Sequence, residues 1–335
     1  MLVPPYVWAL TVLAIVALLA YDFFFHVRKP HEPTLGEAAR WSALYVGIAV
    51  AFGLGVWLFG GGEAGQEYFA GYLTEKALSV DNLFVFLIIM TSFAVPRMLQ
   101  QKVLLFGIAV ALVARTAFIF AGAALINQFS WVFYIFGAIL FVTGAQLLLE
   151  KGDKTDEADN IVIRLVKRFL KTTDHYDGDR MTTEVQGRRR FTPMLLVMVA
   201  IGGTDILFAL DSIPAIYGLT QDVYIVFTAT AFSLLGLRQL YFLIDGLLDR
   251  LVYLSYGLAA ILAFIGAKLV LHALHENSLP FVNGGHHVPV LEISTGLSLG
   301  VIVGVLAVTV VASLVSPAGR ARTRPEETER ARVGQ

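Results

Sequence analysis

Apolar residues run along this chain in blocks of about twenty, the length that crosses the hydrocarbon of a bilayer as one helix. The blocks fall at 6–25, 41–59, 67–95, 103–126, 130–149, 193–216, 223–244, 252–271 and 293–315. Short polar or basic connections separate them. The pattern predicts an all-α fold, a polytopic membrane protein with about nine transmembrane helices. One membrane domain then covers 1–316, the polar stretch 150–192 is a cytoplasmic connection, and 317–335 is a disordered cytoplasmic tail, basic at its start. Within the connection, "NIVIRLVKRFLK" sets Arg164, Lys167, Arg168 and Lys171 on one helical face and reads as an interfacial helix. "DHYDGD" (174–179) lacks the spacing of a calcium loop and reads as a solvated turn.

The basic residues give the blocks a direction. Of 25 lysines and arginines, 21 fall in 26–40, 96–102, 150–192, 245–251 and the tail, and none in the alternate connections. The positive-inside rule places the basic side in the cytoplasm, so the N-terminus is expected outside and the C-terminus inside. Residues 6–25 have no basic residue before them and Arg28–Lys29 after them, the reverse of a cleaved leader, and are expected to remain as the first helix.

Composition narrows the chemistry. Hydrophobic residues make up 57% of the 335 and charged residues 15%, against about 25% charged in soluble domains. No basic domain is present to bind nucleic acid. With no cysteine, thiolate metal sites and thiol redox chemistry are excluded for its side chains. An enzyme is not expected, since the chain shows no serine–lysine pair, no "HExxH" and no "GxGD" stretch.

Within the apolar blocks stand charges that a bilayer disfavours by about 2.5–3.5 kcal/mol each at a helix centre. They are Asp22, Glu75, Lys76, Asp81, Arg115, Asp205, Asp211, Arg238 and Lys268. Most belong to an internal repeat. "TEKALSVDNLF" (74–84) aligns with "TDILFALDSIP" (204–214), matching Thr74 to Thr204, Glu75 to Asp205, Asp81 to Asp211 and Asn82 to Ser212. The next block of each copy carries one arginine, Arg115 or Arg238, and the block after that carries "GAQLLL" (144–149) or "GAKLVL" (266–271). Three blocks per copy is an odd number, so 67–149 and 193–271 form inverted repeats, a plan in which transporters build midplane sites from interrupted helices. Gly71, the Gly202–Gly203 pair and Pro214 mark the expected interruptions.

The inversion brings Asp81 and Asp211 to similar depth, with Glu75 and Asp205 about 9 Å away toward opposite faces at 1.5 Å per residue. A six-residue step turns a helix by about 240°, so both acids of one helix reach one cavity only if the helix breaks or the cavity is wide. Glu75, Asp81, Asp205 and Asp211, supported by Asn82, Ser212, Thr74 and Thr204, form an oxygen donor set suited to magnesium, calcium or manganese. Lys76, Arg115, Arg238 and Lys268 balance the charge. The competing reading is structural: the same acids pair with these bases to lock the bundle. Asp22 stands near the end of its block and is as well explained by either role. His272 and His275 share a helical face near the His286–His287 loop and form a weaker candidate metal site.

Five stretches carry a family resemblance: "DFFFHVRKPHEPTLGEAARWS" (22–42), "EKALSVDNLFVF" (75–86), "DHYDGDR" (174–180), "GGTDILFALDSIPAI" (202–216) and "STGLSLGVI" (294–302). Together the sequence resembles the TerC family of integral membrane proteins, in particular its Alx-type branch, over nearly the whole chain. The resemblance implies manganese efflux from the cell, with Mn2+ as the transported ion rather than a resident cofactor. It assigns metal handling to Glu75, Asp81, Asp205 and Asp211. Protons are the candidate coupling ion. An alternative expectation is a membrane partner of a tellurite-resistance or exoenzyme-metallation complex, without transport of its own and with contacts on 150–192.

Overall fold

The computed structural model describes residues 3–24, 34–149, 173, 176–185, 188–244, 252–277, 282–286, 288–290 and 293–316. Its helices are α1 (Pro5–Asp22), α2 (Leu35–Gly60), α3 (Gly62–Ser92), α4 (Arg97–Gln128), α5 (Val132–Leu149), α6 (Pro193–Tyr217), α7 (Val223–Leu234), α8 (Leu237–Ile244), α9 (Leu254–His275) and α10 (Thr295–Val315). The strands β1 (Thr182–Val185) and β2 (Arg188–Phe191) form an antiparallel hairpin before α6. Each apolar block is helical, and the block at 223–244 is divided into α7 and α8. Seven segments among the described residues are long and apolar enough to cross a membrane, with α7 and all but the last residue of α8 counted together. α5 is shorter, and α3 has ample length but carries the charges. The proposed interfacial helix at 160–171, the tail 317–335, His26, His31 and His287 lie outside the described residues.

Local sequence explains where helices begin. Thr34 caps α2, accepting from Glu37 N at 3.2 Å, Asp222 accepts from Tyr224 N and Ile225 N to start α7, and Ser294 accepts from Leu297 N to start α10. Gly61, at φ 96, makes the tight turn from α2 into α3, a conformation L side chains avoid.

The packing has the symmetry that the repeat predicts. α3 packs on α7 as its equivalent α6 packs on α4, while α5 and α9, equivalent to each other, pack together. Fine detail repeats too. A Cβ built on Gly144 would lie 3.3 Å from Ala259 O and 3.6 Å from Leu262 Cβ; one on Gly266 would lie 3.2 Å from Gly137 O and 3.4 Å from Leu140 Cβ. The repeat alignment turns the first set of residues into the second, so the two backbones touch reciprocally across a pseudo-twofold axis. Glycine permits that approach, as small residues do between membrane helices.

The expected interruptions at Gly71, Gly202–Gly203 and Pro214 are not found. α3 and α6 run as continuous helices through all of them. Pro214 lacks only the N–H that would bond to Leu210 O, and that single loss leaves the helix intact. The break comes instead at Leu235–Gly236, between α7 and α8, where Leu235 is extended and Gly236 has φ 78.

Candidate metal site between the repeats

Asp81 and Asn82 on α3 and Asp211 and Ser212 on α6 line one cavity of about 180 Å3. Thr143 and Gln146 on α5 complete its polar wall, while Val85, Leu147 and Phe208 line it toward the face that carries the hairpin. Thr143 Oγ1 donates to Asp211 Oδ1 at 2.8 Å. Asp81 and Asp211 are only partly buried, in keeping with their place on a cavity wall. The volume holds roughly six waters at about 30 Å3 each, enough for a partly hydrated ion between two carboxylates.

The four acids do not form one ligand set. No group of three or more histidine, aspartate or glutamate side chains suited to a metal occurs among the described residues. Glu75 and Asp205 are buried, at 0% and 2% exposure, and belong to a second cluster. Arg115, also 0% exposed, forms an ion pair with Glu75 and lies close enough to Asp205 to interact with its charge. Its Nη1 also donates to Ser212 Oγ at 2.9 Å. The continuity of α3 and α6 is the cause: six residues along an unbroken helix turn Glu75 and Asp205 away from the cavity. Arg115 nonetheless bridges the two clusters, since Ser212 belongs to the cavity wall.

The remaining candidates have separate places. Thr204 Oγ1 donates to Ala200 O at 2.7 Å, and Thr74 is buried; neither lines the cavity. Arg238 pairs in two-pronged fashion with Asp22, with Nη2 2.6 Å from Oδ1 and Nε 3.0 Å from Oδ2. Gln101 and Gln239 complete that network. Asp22 is thus an anchor between α1 and α8, not a cavity group. Lys76 donates to backbone carbonyls of α7 and its break rather than to a carboxylate.

The opposite face opens a vestibule of about 860 Å3, where Glu63, Glu67, Gln221, Lys268 and His272 meet. His272 is engaged with Gln221 Nε2 at 2.9 Å and packs edge-on against Phe133, and no group of three metal-ligating side chains includes it or His275 among the described residues. Buried Ile213, Ala215, Ile216 and Ile265 occupy the levels of α6 and α9 between vestibule and cavity. Tyr217 lines the vestibule and donates from its hydroxyl to Ile119 O at 2.5 Å. The acid cavity and the vestibule share no lining residue, and this apolar layer stands between them.

Contacts among the described residues tie the hairpin face to the bundle. Tyr176 donates to Phe93 O at 2.8 Å, and burial pushes its phenol up to about 12. Lys102 lies 2.5 Å from Asp179 and holds that carboxyl below the usual carboxylate range.

Sequence reading missed Thr143, Gln146 and the bond from Lys76 to the α7 carbonyls. Thr143 stands one position before the Gly144 of "GAQLLL", so the repeat motif itself passes beside the site. A polar residue just ahead of that close-packing glycine is the signal that could have found it.

The family model described as Integral membrane protein TerC family matches residues 60–321. An uncharacterized membrane protein of Mycobacterium tuberculosis H37Rv is 60% identical over 320 residues, covering 94% of this chain and 81% of its own. A relative from Escherichia coli K12 is 36% identical over 314 residues, covering 91% of this chain and 93% of its own, and one from Photorhabdus laumondii is 37% identical over 316 residues, covering 92% and 94%. The last two bear the provisional name membrane-bound redox modulator Alx. No solved structure matches the chain.

Proposed function

The chain belongs to the TerC family of integral membrane proteins, and from that premise we propose that it exports a divalent metal cation, with manganese as the preferred ion. The observation that carries the reading is the pairing of Asp81 with Asp211, one from each equivalent helix, in a single cavity of oxygen donors. Two carboxylates supply the charge a dication needs, and Asn82, Ser212, Thr143 and Gln146 supply neutral oxygens. Hard cations accept such ligands, whereas zinc and copper(I) favour imidazole and sulfur.

The access geometry supports the same reading. With the basic connections in the cytoplasm, the N-terminus lies outside, the vestibule faces out, and the cavity lies on the cytoplasmic side of the apolar layer beneath it. An exporter loads from the cytoplasm in that state and releases after the apolar floor beneath the vestibule opens. Glu75 and Asp205 then act through Arg115, which holds the Ser212 hydroxyl at the cavity wall. Protons compete with the cation for Asp81 and Asp211, which makes them the natural coupling ion.

The name carried by the Alx relatives suggests a redox role. This chain has no cysteine, so any effect on cellular redox balance would follow from the ion it moves and not from its own thiols. A partner role without transport is the other alternative. Purified protein in sealed vesicles separates these readings. Manganese flux should appear with no other protein present, respond to a proton gradient, and fall to background in Asp81→Asn and in Asp211→Asn while both variants still insert. Undiminished flux in both variants would remove the cavity from the mechanism, and absence of flux from the unmodified protein would favour the partner role.

A further inference from the structure

The break between α7 and α8 leaves polar backbone inside an apolar span, where water cannot satisfy it. Ala231 O is bonded by Leu235 N, and Gly236 O by Leu240 N. Of the four carbonyls between them, Ser233 O and Leu235 O meet the Lys76 ammonium at 2.9 Å and 3.5 Å. Ser233 itself and neighbouring positions along α7 and α3 also carry buried hydroxyls. Ser233 Oγ and Thr230 Oγ1, one turn apart on α7, and Ser79 Oγ, one turn beyond Lys76 on α3, are fully buried and have no hydrogen-bond partner among the described residues. A simple helix cap accounts for the lysine and the carbonyls. It does not account for hydroxyl oxygens kept unpaired in a membrane core.

The inverted copy provides an internal control. The repeat alignment places Ile206 where Lys76 stands, and Ile206 is 41% exposed. The helix equivalent to the broken one is α4, which is continuous from Arg97 to Gln128. Break and lysine occur together in one copy, and neither occurs in the other.

We propose that the α7–α8 break is a monovalent-cation site of backbone carbonyl oxygens, whose resident occupant is the tethered ammonium of Lys76 and which leaves the Ser233 hydroxyl unused. Unwound backbone carbonyls and half-helix C-terminal ends hold free monovalent cations in other inverted-repeat membrane proteins. Here the covalent occupant fills that place and removes the need for a free ion. Removing the lysine therefore opens a site for sodium or a small alkylammonium ion, whatever the protein transports.

The test uses the full chain in detergent and reads thermal unfolding, so it does not depend on the metal-export reading. Lys76→Ala should unfold at a lower temperature than the unmodified protein in choline chloride, choline being too large for the site. Replacing choline with sodium or methylammonium should raise the variant's midpoint, on the order of 5 °C at about a hundredfold excess over Kd, and leave the unmodified protein unchanged. Lys76→Met, close to lysine in volume, is the second variant and should behave alike. A midpoint insensitive to both cations in both variants would reduce Lys76 to a helix cap and overturn the site. Failure of both variants to accumulate in membranes, even with methylammonium present throughout growth and extraction, would overturn it too.

Discussion

Replacing Arg115 with methionine should be among the most damaging single changes in the bundle, and replacing its partner as well should relieve about half of the damage. Arg115 and Glu75 are both 0% exposed, Asp205 stands near enough to feel the same guanidinium, and Ser212 accepts from it. Arg115→Met leaves two buried carboxyl groups without a counter-charge. Removing one member of a buried pair costs about 3–5 kcal/mol, because the other remains desolvated and uncompensated. Glu75→Gln should cost less, since Asp205 still balances the arginine. The double variant Arg115→Met/Glu75→Gln should recover about half of the loss, since it removes one of the two stranded carboxylates and leaves Asp205 as the other. At about 2–4 °C per kcal/mol, Arg115→Met should lower the unfolding midpoint on the order of 10 °C in detergent. Manganese flux adds a second readout: the double variant should remain folded yet transport poorly, because Ser212 loses the donor that fixes it at the cavity wall. An Arg115→Met protein as stable as the unmodified one, or a double variant no better than the single, would refute the reasoning.

Other expectations follow from the same geometry. Gly144→Ala and Gly266→Ala each push a methyl group against a backbone carbonyl at 3.3 Å and 3.2 Å; both should lose about 1–3 kcal/mol, and thermal unfolding showing a loss in only one would break the pseudo-twofold relation. Thr143→Val removes the donor to Asp211 and should raise the manganese concentration for half-maximal flux about tenfold, the equivalent of about 1.4 kcal/mol, with no change expected in vesicle incorporation. The Lys102–Asp179 pair depresses the Asp179 pKa, so its contribution is present above the ordinary carboxylate pKa and is lost as pH falls through the lowered one. Since the pair is exposed, Lys102→Ala should cost no more than about 1 kcal/mol near neutral pH, and its midpoint should converge with that of the unmodified protein in strong acid.

What was legible in the sequence is what depends on order along the chain. Helix length follows from runs of apolar residues, so the blocks predicted the helices, and the inverted repeat showed itself because acid, arginine and glycine recur in the same order. The pairing of Asp81 with Asp211 follows from that order alone, since equivalent residues near a twofold axis must meet. What was not legible depends on helical phase and on where a helix breaks. Whether Glu75 joins Asp81 rests on the six-residue turn between them, which a break would cancel and continuity preserves. Glycine and proline at 71, 202, 203 and 214 suggested breaks, yet α3 and α6 hold through all four, because each is flanked by residues that pack against α4, α5 or α7 on a helical path. Gly236 is no more conspicuous than those in sequence, but it has φ 78 and directly follows the Leu235 cap of α7. The difference lies in a distant side chain: at Gly236 the freed carbonyls have Lys76 to receive them, and at the other positions no such cation is needed while the helix stays whole. A break inside a membrane persists only where something satisfies its backbone, so its position is set jointly by the glycine and by the lysine one helix away.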